Sequence, residues 1–479
     1  MDRKQVDVAV IGAGTAGLGA LRAARAHTDR TLLIETGPHG TTCARVGCMP
    51  SKLLIAAAEA AHAVVEAPVF GVHAGALRVD GRAVMQRVRR ERDRFVGFVL
   101  EAVDAIPDAM RLAGHARFLD AHQIEVGGHT RIEASRIVIA TGSRPEVPAA
   151  FAALGERLVI SDDVFEWIDL PASVAVVGSG VIGLELGQAL HRLGVRVRIF
   201  DRSGGIGPLG DPEVREVAAR IFGAEVAIER RTTIERAEVR DGAAEIAFRD
   251  AGSVLHTESF DCVLVATGRR PNLDTIGLEN TGLTLDARGV PLHDRYTGQC
   301  GESHIFLAGD ASAGRAILHE AADAGRIAGD NAGRFPDVRC HSRRAPLAIV
   351  FTDPQLALAG ETHRELVRRG TDFATGEVSF EDQGRSRVMN RNQGLLHVYA
   401  EHGTGLLLGA EMVGPRAEHL GHLLAWAVQR ALTISEILEL PFYHPVVEEG
   451  LRSALRDLNR NLRMGPAPVP RCLDCGPGA

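Results

Sequence analysis

Cys43 and Cys48, with four residues between them in Thr42-Cys43-Ala44-Arg45-Val46-Gly47-Cys48-Met49-Pro50-Ser51-Lys52, are the residues of this chain best placed to do chemistry. Two close thiols can form a disulfide that accepts two electrons, make half of a metal site, or simply be buried. The thiolate is the reactive form. An ordinary thiol titrates near about 8.5, and a helix N-terminus or a neighbouring cation lowers that value. Pro50 suits the first turn of a helix, so a helix is expected to begin near the pair. A second pair, Cys472 and Cys475, follows the Pro-rich run Gly465–Pro470, which reads as a semi-rigid linker. That CxxC could relay electrons from Cys43, form half of a zinc site, or be idle. Cys262, Cys300 and Cys340 are isolated in sequence and are expected to be structural thiols.

The elements that must position this chemistry are two nucleotide-binding units. Val8-Ala9-Val10-Ile11 reads as a buried parallel strand leading into Gly12-Ala13-Gly14-Thr15-Ala16-Gly17, a helix over 18–26, and a second strand, Thr31-Leu32-Leu33-Ile34, ending at Glu35. The pattern recurs: Val174–Val177, then Gly178-Ser179-Gly180-Val181-Ile182-Gly183, a helix, and Val197–Phe200 ending at Asp201. The first glycine allows the tight turn, the second a close approach of pyrophosphate, and the third helix–strand packing; the terminal acid accepts from a ribose hydroxyl. From first glycine to acid is 23 residues in both copies, Gly12 to Glu35 and Gly178 to Asp201. One GxGxxG alone says little. Two in register with strand, helix and acid predict two bound dinucleotides, which suits electron transfer between a nicotinamide and a flavin. Asp201 favours NAD by repelling a 2′-phosphate, while Arg202 beside it leaves NADP open.

A chain of 479 residues exceeds one hydrophobic core, so two to four domains are expected. Its 45% hydrophobic and 24% charged residues are ordinary for a globular protein. The net charge of −7 argues against a nucleic-acid or membrane-surface partner. The Arg-rich stretch Arg87–Arg94 is expected to be a solvated helix face. No signal-peptide pattern precedes the first strand, no spanning helix is expected, and seven cysteines do not make a disulfide framework. The expectation is a cytoplasmic protein.

Glu35 followed by Thr42-Cys43-x4-Cys48-x-Pro50-Ser51-Lys52 resembles the FAD-dependent pyridine nucleotide–disulfide oxidoreductases. So do Ala140-Thr141-Gly142-Ser143-Arg144-Pro145, Ala266-Thr267-Gly268-Arg269-Arg270-Pro271-Asn272 and Phe306-Leu307-Ala308-Gly309-Asp310-Ala311, in the family's order from about residue 5 to about residue 463. The resemblance implies an α/β fold with two Rossmann-like domains, one for FAD and one for NAD, plus a C-terminal α+β dimerisation domain. The FAD domain would occupy 1–148 and 275–344, the NAD(P) domain 149–274 and the dimerisation domain 345–464, with 465–479 as a flexible tail.

The resemblance also assigns roles. Cys43 would exchange with the substrate, and Cys48 would be the flavin-side thiol. Lys52 would stand near the flavin ring with Glu185 as its ion-pair partner, and Asp310 would hold the ribityl chain. Gly12, Gly14, Gly17, Glu35, Thr42, Thr141, Gly142, Gly268 and Arg269 complete the expected cofactor contacts, with Gly178, Gly180, Gly183 and Asp201 for the nicotinamide nucleotide. Pro441-Phe442-Tyr443-His444-Pro445-Val446-Val447-Glu448-Glu449 resembles the family's His-Pro-x3-Glu element, making His444 the acid–base and Glu449 its orienting carboxylate. In the family this histidine serves the other subunit's disulfide, which implies a homodimer. His319 and Glu320 are expected in a helix cradling the flavin. Two departures stand out: Thr41 where many relatives have glycine, and Arg45 where many have asparagine. The Pro-Ser-Lys ending is similar to that of dihydrolipoamide dehydrogenases and mercuric reductases, and His444 favours a dithiol. The expected activity is oxidation of a dihydrolipoyl group by NAD. The alternatives are another disulfide or mercuric-ion reductase using the tail, and a non-catalytic flavin-bearing redox sensor. No metal ligands are expected among the site residues.

Overall fold

The computed structural model of the chain describes residues 2–464, and Cys472 and Cys475 lie outside them. Contacts divide the chain into two compact units: Met1–Arg202 with Glu229–Arg343, and Ser203–Ile228 with the chain from Arg344.

In the first unit, strand Asp2–Ile11 runs parallel to Thr31–Glu35 on one side and to Thr130–Ile139 on the other, with Ile11 in register with Ile34 and Ile139. Ile305–Leu307 adds a further parallel strand beside Thr130–Ile139. Val8, Ala9 and Val10 are fully buried, as a parallel strand covered on both faces requires. The helix after the first glycine turn spans Thr15–Ala24. It begins three residues earlier than the sequence suggests, because Gly14 closes the turn and is itself the cap. Its buried stripe of Ala16, Gly17, Ala20, Leu21 and Ala24 meets helix Leu318–Arg334. A Cβ on Gly325 would fall 2.1 Å from the Ala16 carbonyl oxygen, and one on Gly329 2.2 Å from that of Ala20. The two helices therefore pack backbone to backbone. Gly329→Val should cost about 1–3 kcal/mol by overpacking, read as a lowered urea midpoint; an unchanged midpoint would contradict the close approach.

The second nucleotide fold repeats the plan. Ser173–Val177 lies between parallel strands Arg196–Asp201 and Cys262–Val265, with Leu158–Ile160 beyond the latter. Helix Val181–Arg192 starts directly after Gly180. An antiparallel meander of Thr233–Arg240, Ala243–Arg249 and Leu255–Phe260 completes the unit.

The second unit holds a five-stranded antiparallel sheet in the order Leu347–Val350, Gln355–Gly360, Leu407–Gly414, Leu395–Glu401, Phe373–Ser379. Helix Ala417–Gln429 packs on Gln355–Gly360, and helix Glu448–Asn461 on Phe373–Ser379. Leu396, Val398, Leu420 and Leu455 lie in the shared core. Helix Pro212–Glu225 belongs to this unit and meets the strands Leu395–Glu401 and Leu407–Gly414. Two Rossmann-like folds and a C-terminal α+β domain are thus present as expected.

One local expectation is overturned. Within Arg87–Arg94, Arg87, Arg90 and Arg94 are exposed, but Arg92 is buried and donates to Glu166 at 2.5 Å and to Asp93 at 2.6 Å. Arg92 falls on the same inward stripe as Met85 and Val88, and its acidic partners make that burial tolerable. The helical stretch Thr42–Phe70 is long and apolar enough, by length and composition alone, to cross a membrane, a test that a core helix of a globular protein also passes. The run of alanines at 56–58, 60, 61 and 63 produces this. In the fold, its helix Cys48–Glu66 packs against helices Val181–Arg192 and Gly81–Asp104 and delivers Cys48 and Lys52 to the cleft described next.

Candidate active site

The two glycine turns are built alike. Gly12 and Gly178 have φ of 105° and 111°, which glycine alone adopts without strain. A Cβ there would strike the carbonyl oxygens of Ala140 and Ala266 at 2.3 and 2.4 Å. On Gly17 or Gly183 it would lie 1.7 or 1.9 Å from the carbonyl oxygen of the first glycine, so the helix start is locked onto the turn. Gly14 and Gly180 differ: nothing lies within 4 Å of a Cβ built there, and each helix N-terminus stays open to an anion. Glu35 Oε2 accepts from the Ala13 N–H at 2.6 Å, and Asp201 Oδ1 accepts from Ser179 Oγ at 2.8 Å. Each acid is held at its own turn.

Two adjoining clefts of about 1140 and about 1130 Å³ share Gly14, Thr42, Ala140 and Gly142. Glu35, Thr41, Arg45 and Thr141 line the second, whereas Cys43, Cys48, Lys52, Glu185, Arg269 and Asp310 line the first. Thr141 Oγ1 is buried without a hydrogen-bond partner. An orphaned hydroxyl of this kind suits a ligand oxygen.

A short helix, Thr42–Val46, carries Cys43; the chain breaks at Gly47, and the next helix starts at Cys48. Pro50 sits in its first turn, where no N–H is needed. Thr41 is held at φ 60°, while its hydroxyl accepts from the Ala44 N–H at 3.3 Å and caps the short helix. The capping bond works against a backbone strain of about 1–3 kcal/mol. Arg45 donates to the Pro38 carbonyl at 3.4 Å.

The two thiols are unbridged and share a hydrogen bond, which splits their acidities. The bond from Cys43, and then the Lys52 charge, lower Cys48 to about 6 against the opposing effect of burial. The hydrogen bond to Cys48, burial and the Cys48 charge push Cys43 far above the usual thiol range. Cys48 is the thiolate and Cys43 keeps the proton. Lys52 Nζ lies 2.7 Å from Oε2 of the buried Glu185. Lys52→Met should move the Cys48 titration, followed by ultraviolet thiolate absorbance, upward toward the ordinary range. It should also destabilise the fold by about 3 kcal/mol, because Glu185 stays buried without that cation. A Cys48 titration that does not move would exclude Lys52 as a cause.

Asp310 follows strand Ile305–Leu307, and its Oδ2 accepts from Ser143 Oγ at 2.9 Å. Arg269 donates to Ser143 Oγ at 2.9 Å and to the Ser143 carbonyl at 2.7 Å. Asn272 donates to the Thr141 carbonyl at 3.0 Å, and Ser143–Pro145 pairs antiparallel with Arg269–Pro271. The two Ala-Thr-Gly motifs are therefore bound to each other. Gly142 and Gly268 turn the chain there at φ of 69° and 139°. Ser143 and Asn272 were not singled out from the sequence, although both stand inside the quoted motifs. The apolar cleft wall of Ile182, Leu186, Ile317 and Leu318 carried no sequence signal at all. His319 and Glu320 lie on helix Leu318–Arg334, where Glu320 accepts from Arg343 at 2.5 Å. Burial raises Cys262 to about 11 and Cys300 to about 12, whereas Cys340 is exposed.

In the second unit, His444 Nδ1 lies 3.0 Å from Glu449 Oε2 and 3.2 Å from Oε1. Glu449, in the first turn of helix Glu448–Asn461, also accepts from the Val446 N–H at 3.3 Å and from Arg452 at 3.2 Å. The His444 bond, the largest influence, holds the Glu449 carboxyl below its usual range. With Nδ1 donating to Glu449, Nε2 is left as the basic nitrogen. The His444 side chain is 80% exposed and open to a reaction partner.

A family model described as Pyridine nucleotide-disulphide oxidoreductase matches residues 6–325, and that family's dimerisation-domain model matches residues 347–455. The chain belongs to this family. It is an FAD-dependent NAD(P)–disulfide oxidoreductase by class, and its dimerisation domain supports a homodimer. It is 31% identical to a mercuric reductase of Acidithiobacillus ferrooxidans over 96% of this chain and 84% of that protein. It is 30% identical to dihydrolipoyl dehydrogenase 3 of Haloarcula marismortui over 94% of this chain and 96% of that protein. The crystal structure of LpdA from Mycobacterium tuberculosis superposes with a TM-score of 0.80 at 23% identity, covering 95% of this chain and 99% of that one.

The residues present suit the family's FAD. An open helix N-terminus at Gly14, the orphaned Thr141 hydroxyl and the cleft carrying Asp310 and Lys52 would hold a dinucleotide's pyrophosphate, ribose and ring ends. When bound, FAD supplies the two-electron carrier between nicotinamide and the dithiol pair.

Proposed function

We propose that this flavoenzyme is a dihydrolipoyl dehydrogenase, oxidising a dihydrolipoyl group with NAD through a Cys43–Cys48 disulfide. The carrying observation is the His444–Glu449 contact at 3.0 Å. Oxidising a dithiol requires a group that takes its proton, which a positioned imidazole supplies; reduction of a metal ion does not.

His444 Nε2 takes the proton from one substrate thiol. The resulting thiolate attacks Cys43 Sγ, and Cys48 leaves as the thiolate. The second substrate sulfur then displaces Cys43, closing the substrate disulfide and passing its proton to Cys43. Two electrons have moved to the protein pair, one proton rests on Cys43 and the other leaves through His444. This matches the unequal acidities of the two thiols. The His444 involved belongs to the second copy of the chain, as in the family arrangement. Asp201 at the second glycine turn supports NAD over NADP.

A panel of dihydrolipoamide, glutathione disulfide and mercuric ion, run with NAD(H) and NADP(H), tests the reading. Dihydrolipoamide with NAD should give the highest kcat/KM. Faster mercuric-ion reduction would favour the rival reductase, in which the Cys472/Cys475 pair could serve. Absence of turnover with every pair would point to a redox sensor.

A further inference from the structure

His397, on strand Leu395–Glu401, has one imidazole nitrogen hydrogen-bonded and one facing two carboxylates without a hydrogen bond. Nδ1 lies 2.9 Å from Asp211 Oδ2, an oxygen that also accepts from Tyr399 Oη at 2.9 Å. The residue is 5% exposed, yet its Nε2 is buried without a hydrogen-bond partner. That nitrogen faces Glu377 Oε2 at 3.4 Å and Glu213 Oε2 at 3.9 Å. One ligand atom from each of the three residues lies within 4.8 Å of the other two. The residues come from three elements. Glu377 is the direct cross-strand partner of His397, and Glu213 stands in the first turn of helix Pro212–Glu225.

These separations exceed the usual N–H···O length of about 2.9 Å. They approach the roughly 3.4 Å edge of a tetrahedron whose ligands sit about 2.0–2.1 Å from a zinc ion. An imidazole whose other nitrogen is engaged by a carboxylate has its tautomer and ring plane fixed for metal binding. One imidazole with two carboxylates suits zinc-like ions and is not the all-oxygen set of calcium or magnesium.

We propose that Glu213, Glu377 and His397 bind a divalent transition-metal cation of the zinc type, with Asp211 orienting the imidazole. Both carboxylates are exposed, which provides the entry path and room for water as a fourth ligand. The ion ties the start of helix Pro212–Glu225 to strands Phe373–Ser379 and Leu395–Glu401. Its role is a structural clamp within the second unit, separate from the disulfide chemistry.

The test uses full-length FAD-loaded enzyme with its cysteine pairs oxidised, stripped by chelator and brought to equilibrium with Zn²⁺ by dialysis. Glu213→Gln/Glu377→Gln should bind one zinc fewer per chain than the parent, and either single substitution should weaken binding at least about tenfold. Glu381→Gln, an exposed acid outside the cluster, should behave as the parent. Zinc should raise the Tm of the parent and not of the double variant. Because both glutamates are exposed, retained FAD content and circular dichroism will show that the variants fold. Equal zinc stoichiometry in parent and double variant, or an equal Tm shift, overturns the proposal.

Discussion

Cys48→Ser should lower dihydrolipoamide turnover by roughly 10⁴-fold or more, while oxidation of NADH by ferricyanide continues. With one sulfur gone, no disulfide can form, so the dithiol half-reaction stops and hydride exchange with the flavin does not. Cys43→Ser should be as inactive but should differ when titrated. In Cys43→Ser the serine hydroxyl can still donate to Cys48 and Lys52 stays beside it, so a thiolate titrating below the ordinary thiol range persists there and is absent in Cys48→Ser. Retention of more than a tenth of the activity in either variant would remove the pair from the reaction.

The second large effect is at His444. His444→Gln should cost about 10²–10⁴-fold in kcat/KM for dihydrolipoamide, the usual range for a lost general acid–base. Glu449→Gln should cost less, because it leaves the imidazole in place without its charged partner. Co-expression makes the result sharper. Mixed dimers of Cys48→Ser and His444→Gln chains hold one intact site if each site takes its cysteines from one copy and its histidine from the other. A random mixture should then recover roughly a quarter of parental activity. A site built within one chain would recover none.

The glycine turns were legible in the sequence because they obey local rules. Gly12 and Gly178 need a positive φ, Gly17 and Gly183 must touch a backbone, and no other residue satisfies either demand. The Cys43–Cys48 spacing was legible for the same reason, since the break at Gly47 and the start at Cys48 are set by adjacent residues. What stayed hidden depends on partners far along the chain. Arg92 reads as solvated from its own neighbours, and Glu166, 74 residues away, helps make its burial tolerable. The assignment of helix Pro212–Glu225 to the second unit, and the His397–Asp211 contact across 186 residues, follow from tertiary packing that no local pattern encodes.

The hydrogen bond between the two thiols has a consequence for the reduction potential. Since Cys48 titrates at about 6, reducing the disulfide above that pH takes up one proton for two electrons. The midpoint potential of the pair should then fall by about 30 mV per pH unit rather than about 60, and steepen below pH 6. Between about 6 and the ordinary thiol value near about 8.5, the unfolded reduced chain binds the extra proton, so the reduced fold gains stability as pH rises and loses it as pH falls through 6. At neutral pH the protein is thus a poorer proton store than its two sulfurs suggest, and the balance of the substrate's protons has to leave through the imidazole.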